Sequence, residues 1–137
     1  MNNGSGRLAI VLHSHMPYVE GFGTWPFGEE WLFEAAATVY VPLLALLEKT
    51  PAHPAPLTLS VTPVLADQLA APGVHERLLS FLRDLRVTTH TLDAEGCRAG
   101  GEPALAAEVE RAGTDYARAA DRLDALGDGG LARGLAR

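Results

Sequence analysis

Only two stretches of this 137-residue chain have the length and composition of β-strands, Leu8–Leu12 (LAIVL) and Leu57–Val61 (LTLSV). That scarcity constrains the fold more than any other feature. The first run is continuously apolar, the pattern of a strand buried on both faces. A helical pattern lies between the runs and further helical patterns follow the second. The order is strand, loop, helix, strand and three helices, which predicts βαβ connectivity and a parallel sheet in an α/β class. Two strands cannot close a barrel, and two parallel strands buried on both faces do not make a free-standing core. The chain reads as the opening of a larger α/β architecture.

The strand-loop-helix unit covers residues 8–49. His13-Ser14-His15-Met16-Pro17 ends the first strand, and Pro17 biases Met16 to an extended conformation. Tyr18–Gly28 is Gly-rich and aromatic, a loop. From Glu29, the spacing of Trp31, Leu32, Ala35, Ala36, Val39 and Tyr40 predicts a helix to about Glu48, with Glu29 and Glu30 in a first turn that favours negative charge and Pro42 kinking or dividing it. The segment 57–92 holds the second strand, a short helix opened by Thr62-Pro63 as N-cap and first helical residue, and an amphipathic helix marked by Val74, Leu78, Phe81, Leu82 and Leu85. Asp93–Pro103 is expected to be a polar connection. Residues 103–126 form a long helix whose seam is Leu105, Val109, Ala112, Tyr116, Ala119, Leu123 and Leu126. Residues 128–137, Gly-rich and uncapped, are expected to fray.

Three groups of side chains carry chemistry. His13 and His15 stand at the C-terminal end of the first strand, where α/β folds place their ligands. Residues two apart on an extended segment point the same way, so both imidazoles can enter one site. There they could bind a metal, hydrogen-bond a sugar or shuttle protons, or one or both could satisfy buried backbone groups. The aromatic group comprises Tyr18, Phe22, Trp25, Phe27 and Trp31. Aromatic faces stack on sugar C–H surfaces while an indole N–H reaches a hydroxyl. Phe22 and Phe27 read as a small cluster holding the loop together; Trp25 and Trp31 stay open. The acidic group, Glu20, Glu29, Glu30 and Glu34, reads as helix-dipole and solvated surface charge. Adjacent Glu29 and Glu30 diverge by about 100° on a helix and cannot flank one bond. Asp67 reads as a surface group, and His53, His75 and His90 lack ligand spacing.

Composition excludes other classes. A net charge of −6, with no basic patch, lacks the footprint of a nucleic-acid binder. A single cysteine, Cys97, forms no internal disulfide and no zinc-finger spacing, and reads as incidental. The first apolar run, broken by histidine, is too short and polar for a signal peptide or a membrane span. A cytoplasmic protein without a membrane partner is expected.

The stretch VLHSHMPYVEGFGTWPFGEEWLFEA, Val11–Ala35, resembles the start of glycoside hydrolase family 57 proteins, nearest the α-1,4-glucan branching enzymes of that family. SVTPVLADQLAAPGV, Ser60–Val74, is similar to a second stretch of the same group. The resemblance implies the N-terminal part of a (β/α)7 barrel of glycoside hydrolase/deacetylase-like type, incomplete in this chain. It implies a retaining mechanism with a Glu nucleophile and an Asp acid/base, passing an α-glucan to a sugar 6-hydroxyl to form an α-1,6 branch, with no metal or organic cofactor. His13 matches a family histidine in the donor-sugar pocket and His15 completes that motif. Trp31 matches an aromatic residue lining the site, with Trp25 nearby. Nothing after Leu92 matches the nucleophile or acid/base motifs, so no catalytic residue is assigned in this chain, and both carboxylates are expected beyond Arg137. The chain is therefore expected to be a fragment, inactive alone. Alternatives are another family 57 amylase or 4-α-glucanotransferase, a non-catalytic α-glucan-binding remnant, and a metal-dependent barrel hydrolase using His13 and His15. Oligomeric state is left open.

Overall fold

The computed structural model describes residues 8–23, 28–49 and 57–136. Two strands, β1 (Ile10–Ser14) and β2 (Leu57–Val61), pair in parallel with Ile10 opposite Leu57 and Ser14 opposite Val61. Between them run α1 (Glu30–Ala35), a π-helical segment (Ala36–Tyr40) and α2 (Val41–Lys49). After β2 come α3 (Pro63–Leu69), α4 (Val74–Ser80), a second π segment (Phe81–Val87), α5 (Thr88–Ala99), α6 (Pro103–Leu126) and α7 (Gly130–Leu135). The βαβ order and parallel pairing agree with the expected α/β character.

The strand β1 differs from expectation in position and environment. It begins at Ile10 and continues through His13 and Ser14. It is not buried on both faces: Val11 is 64% exposed and Ile10 42%. The apolar core lies among the helices instead. Leu32, Phe33, Tyr40 and Leu44 form one cluster with Leu78, Phe81 and Leu82 and with Ala119, Ala120 and Leu123 of α6, which Leu65 and Leu69 of α3 join.

Chemistry around Pro42 explains the π segment before it. Proline has no N–H to give to the Thr38 carbonyl four residues back. The Thr38 hydroxyl also donates to the Glu34 carbonyl at 2.7 Å, competing with the backbone ladder. The helix shifts register, and the Val41 N–H bonds to the Ala36 carbonyl, five residues back. Pro42 thus changes the register of the helix without dividing it, and the helical run continues from Glu30 to Lys49. Thr62 and Pro63 take the expected N-cap and first-turn places, but the Thr62 side chain makes no capping bond. Gly73, at φ +71°, supplies the left-handed residue that separates α3 from α4.

Three further expectations are corrected. Asp93–Pro103 is mostly helix, because α5 continues to Ala99 and leaves Gly100–Glu102 as the connection. Its polar composition reflects an exposed face: Asp93, Glu95 and Arg98 face solvent and Ala94 is buried. The seam of α6 keeps Ala119 and Leu123, both buried, but differs towards its N-terminal end. Leu105 is exposed, while Ala106, Gly113 and Ala120 are buried, and a Cβ added at Gly113 would sit 3.0 Å from that of His90. Small residues let α5 and α6 approach closely, so the largest side chains do not mark the contact. Within the expected frayed tail, residues 130–135 instead form α7, which buries Leu131.

The 20-residue helical run Glu30–Lys49 is apolar and long enough by composition to cross a membrane. Here Leu32, Phe33, Tyr40 and Leu44 on it belong to the helical core, and Glu30 and Glu34 on it are ion-paired.

Candidate functional site at the C-terminal end of the parallel strands

The parallel register sets His13 opposite Ser60, and the His13 Nδ1 lies 3.1 Å from the Ser60 Oγ. His15 follows one residue after the strand, and the two imidazoles stand 5.8 Å apart between centroids at an interplanar angle of 33°. Both are exposed. Alternation therefore brings the two histidines together on one side, as their spacing implies. Between them, the Ser14 Oγ lies 2.6 Å from the hydroxyl of buried Tyr40. The Thr62 N–H donates to the Ser14 carbonyl at 3.1 Å, closing the end of the sheet.

The loop leaving this edge is fastened by Gln68, a residue the sequence pattern does not reveal. Its side chain is fully buried. The Gln68 Oε1 accepts from the Val19 N–H at 2.6 Å, and its Nε2 donates to the carbonyls of Pro17 at 3.1 Å and Val64 at 3.2 Å. One amide thereby ties the chain after the histidines to α3, satisfying groups that burial would otherwise leave unpaired.

Trp31 stands on the first turn of α1, 45% exposed. Trp25 and Phe27 lie outside the described residues, as does His53. Phe22 is 69% exposed and so does not hold its loop together by burial, since a ring left largely in water contributes little apolar stabilisation. Tyr18 is also exposed, and its hydroxyl donates to Glu20 at 3.0 Å, which raises the phenol above its ordinary pKa. Asp67 is exposed.

The acidic residues flanking Trp31 are not free surface charge. Glu29 is 8% exposed and accepts a forked pair of bonds from Arg77, Nε at 3.0 Å and Nη2 at 2.7 Å. Arg86 bonds Glu30 at 2.6 Å and pairs with Glu34, while its guanidinium lies 5.0 Å over the Phe81 ring. The Tyr116 hydroxyl donates to Glu34 at 2.7 Å. Burial first, then that bond, pushes the Tyr116 pKa up to about 12. Arg77 and Arg86 could have been suspected from the sequence only by asking what would neutralise three glutamates at the head of an otherwise apolar helix.

Among the described residues no group of three His, Cys, Asp or Glu side chains could hold a metal ion. A separate hollow of about 900 Å³ lies elsewhere, between the α1–α2 run and α6, lined by Val41, Ala45, Leu46, Tyr116 and Ala119 among others, and contains neither histidine.

Residues 9–112, which include β1, β2 and most of the helices, match the model of glycosyl hydrolase family 57. The chain belongs to this family. The 1,4-alpha-glucan branching enzyme of Thermococcus kodakarensis is 50% identical over 66 residues, covering 47% of this chain and 10% of that protein. A Mycobacterium tuberculosis protein named "Probable 1,4-alpha-glucan branching enzyme" is 34% identical over 130 residues, covering 86% of this chain and 24% of that protein. Among solved structures, a family 57-type branching enzyme from Pyrococcus horikoshii superposes with a TM-score of 0.75 at 32% identity, over 88% of this chain and 22% of that one. A family 57 branching enzyme from Thermococcus kodakaraensis, solved with glucose, gives 0.70 at 32% identity, over 88% of this chain and 21% of that one. This chain thus spans a tenth to a quarter of the length of its family 57 relatives.

Proposed function

We propose that this chain forms the first portion of the (β/α)7 barrel of a 1,4-α-glucan branching enzyme, the share that contributes donor-sugar contacts from His13, His15 and Trp31, to which the sequence resemblance adds Trp25. The observation that carries the reading is the histidine pair, 5.8 Å apart at the C-terminal end of β1, in a family 57 chain whose relatives carry the branching-enzyme name. The His13 imidazole, its Nδ1 bonded to Ser60, offers its Nε2 to a sugar hydroxyl, His15 offers its ring nitrogens, and a half-exposed indole offers a face to the pyranose C–H surface. The exposure of β1 supports further strands alongside it in the complete barrel.

In this reading the reaction proceeds with retention. A Glu carboxylate takes the anomeric carbon as the α-1,4 bond breaks, an Asp protonates the departing glucan oxygen, and the same Asp then takes the proton of an acceptor 6-hydroxyl that displaces the enzyme. Both carboxylates belong to parts of the relatives that this chain does not span. The residues here bind and orient, and by themselves transfer nothing. No cofactor is required, and a cytoplasmic location goes with the lone Cys97.

Affinity electrophoresis through gels containing glycogen tests the binding. The wild-type chain is expected to be retarded, and His13→Ala and Trp31→Ala to migrate freely. Equal migration of wild type with and without glycogen overturns the reading. Formation of α-1,6 branches on amylose by the isolated chain overturns the division of labour.

A further inference from the structure

Ser14 lies between the two histidines, and on extended backbone its side chain leaves β1 on the side opposite theirs. There it meets a fixed partner, because its Oγ is 2.6 Å from the hydroxyl of Tyr40, which is 5% exposed. Tyr40 is the last residue of the π segment Ala36–Tyr40. Successive α-helical residues turn by about 100°, and a five-residue hydrogen-bonded turn alters the direction of every side chain that follows it. The altered register delivers the Tyr40 ring to the core with its hydroxyl at the end of β1. Pro42, which lacks the N–H an uninterrupted helix requires, stands two residues further on. A proline in one helix is thus connected, through a change of helical register, to a hydroxyl that holds the middle of His13-Ser14-His15.

We propose that Tyr40 is a positioning residue for His13 and His15. Its hydroxyl pins Ser14 and so fixes the rotation of the strand end at which both imidazoles emerge together. Ser60 completes the arrangement from β2 by holding His13 through its Nδ1 at 3.1 Å. The ligand in this proposal rests on the glucan reading of the same site; the geometry does not.

The test uses Tyr40→Phe, which removes one oxygen and keeps the ring. In a chain with isotope-labelled histidines, Tyr40→Phe is expected to shift the side-chain resonances of His13 and His15 and to weaken the cross-relaxation between their rings. The affinity for maltoheptaose should fall roughly tenfold, the factor that ~1.4 kcal/mol supplies. Ser14→Ala should reproduce both effects, and the double variant should be no worse than either single one. Ser14→Ala also carries the test alone should Tyr40→Phe fail to fold. Imidazole resonances and ring-to-ring cross peaks identical to wild type in both variants overturn the proposal, whatever happens to glucan binding. If the wild-type chain does not bind maltoheptaose, the glucan reading falls, and the imidazole spectra still decide the role of Tyr40.

Discussion

Replacing Gln68 with leucine, which keeps the approximate side-chain volume, should be far more damaging than its place on a short, partly exposed helix implies. The amide is fully buried and satisfies three backbone groups. The Val64 carbonyl has the ladder of α3 to fall back on, so little is lost there. The Val19 N–H belongs to a residue only 3% exposed, and leaving it unpaired costs about 1–3 kcal/mol. Pro17 is exposed, so its carbonyl recovers part of its loss from solvent. The sum is about 2–4 kcal/mol, a large fraction of the ~5–15 kcal/mol by which a domain is stable. Urea unfolding followed by far-ultraviolet circular dichroism should show this loss, and exchange of the Val19 amide should speed up more than that of α6 amides. Gln68→Glu is a sharper companion. A carboxylate facing the Pro17 and Val64 carbonyls has its pKa raised in the folded state. This variant should therefore be most stable below the carboxylate's unfolded pKa of ~4.3 and lose stability as pH rises through the folded value. A Gln68→Leu chain within about 0.5 kcal/mol of wild type, with the Val19 amide still protected, would refute the reasoning.

Arg77→Met strands the Glu29 carboxylate, whose side chain is 10% exposed, but Arg77 itself is 40% exposed, so solvent screening holds the expected loss to about 1–3 kcal/mol. Glu29→Gln/Arg77→Met should recover most of it in a urea-based double-mutant cycle; an additive double variant would show that the pair is not coupled. The raised pKa of Tyr116, near 12, means the folded state holds its phenolic proton more tightly than the unfolded chain. That contribution is present below pH ~10 and lost as pH rises towards 12, so Tyr116→Phe should flatten the alkaline decline in stability, with tyrosinate absorbance as the direct check. Gly134→Ala would bring a Cβ to 2.5 Å from the Leu44 Cδ2, an overpacking that should cost about 1–3 kcal/mol and speed amide exchange in α7. Unchanged exchange there would mean that α7 does not need its close seat on α2.

The βαβ order, the disturbance of the helix next to Pro42 and the pairing of His13 with His15 were legible because each follows from a local rule: apolar run length, a missing N–H, and two-residue alternation. The misread segments share a different cause. Asp93–Pro103 reads as a loop because a helix that buries little more than Ala94 shows almost no apolar period. Gly113, Gly130 and Gly134 carry no signal in the apolar pattern, yet each lies where a side chain would collide with His90, Leu126 or Leu44. Their meaning is tertiary contact, which composition cannot express. Gln68, Arg77, Arg86 and Tyr40 escape a reading by pattern because their roles depend on partners 26 to 56 residues away.

The pairing of β1 with β2 joins residues 47 positions apart, whereas α5 and α6 are joined by only three residues, Gly100–Glu102. Contacts close in sequence form with little loop-closure entropy, and non-local parallel pairing forms late. The helical hairpin can therefore consolidate while the strand ends are still apart, and the histidine pair is completed only when β2 docks. The same asymmetry runs in reverse, since an exposed two-stranded ladder opens at lower cost than the helical core. A sugar chain lying across His13 and His15 would bind only the closed ladder, so occupancy would stiffen the part of the molecule that is otherwise the last to assemble.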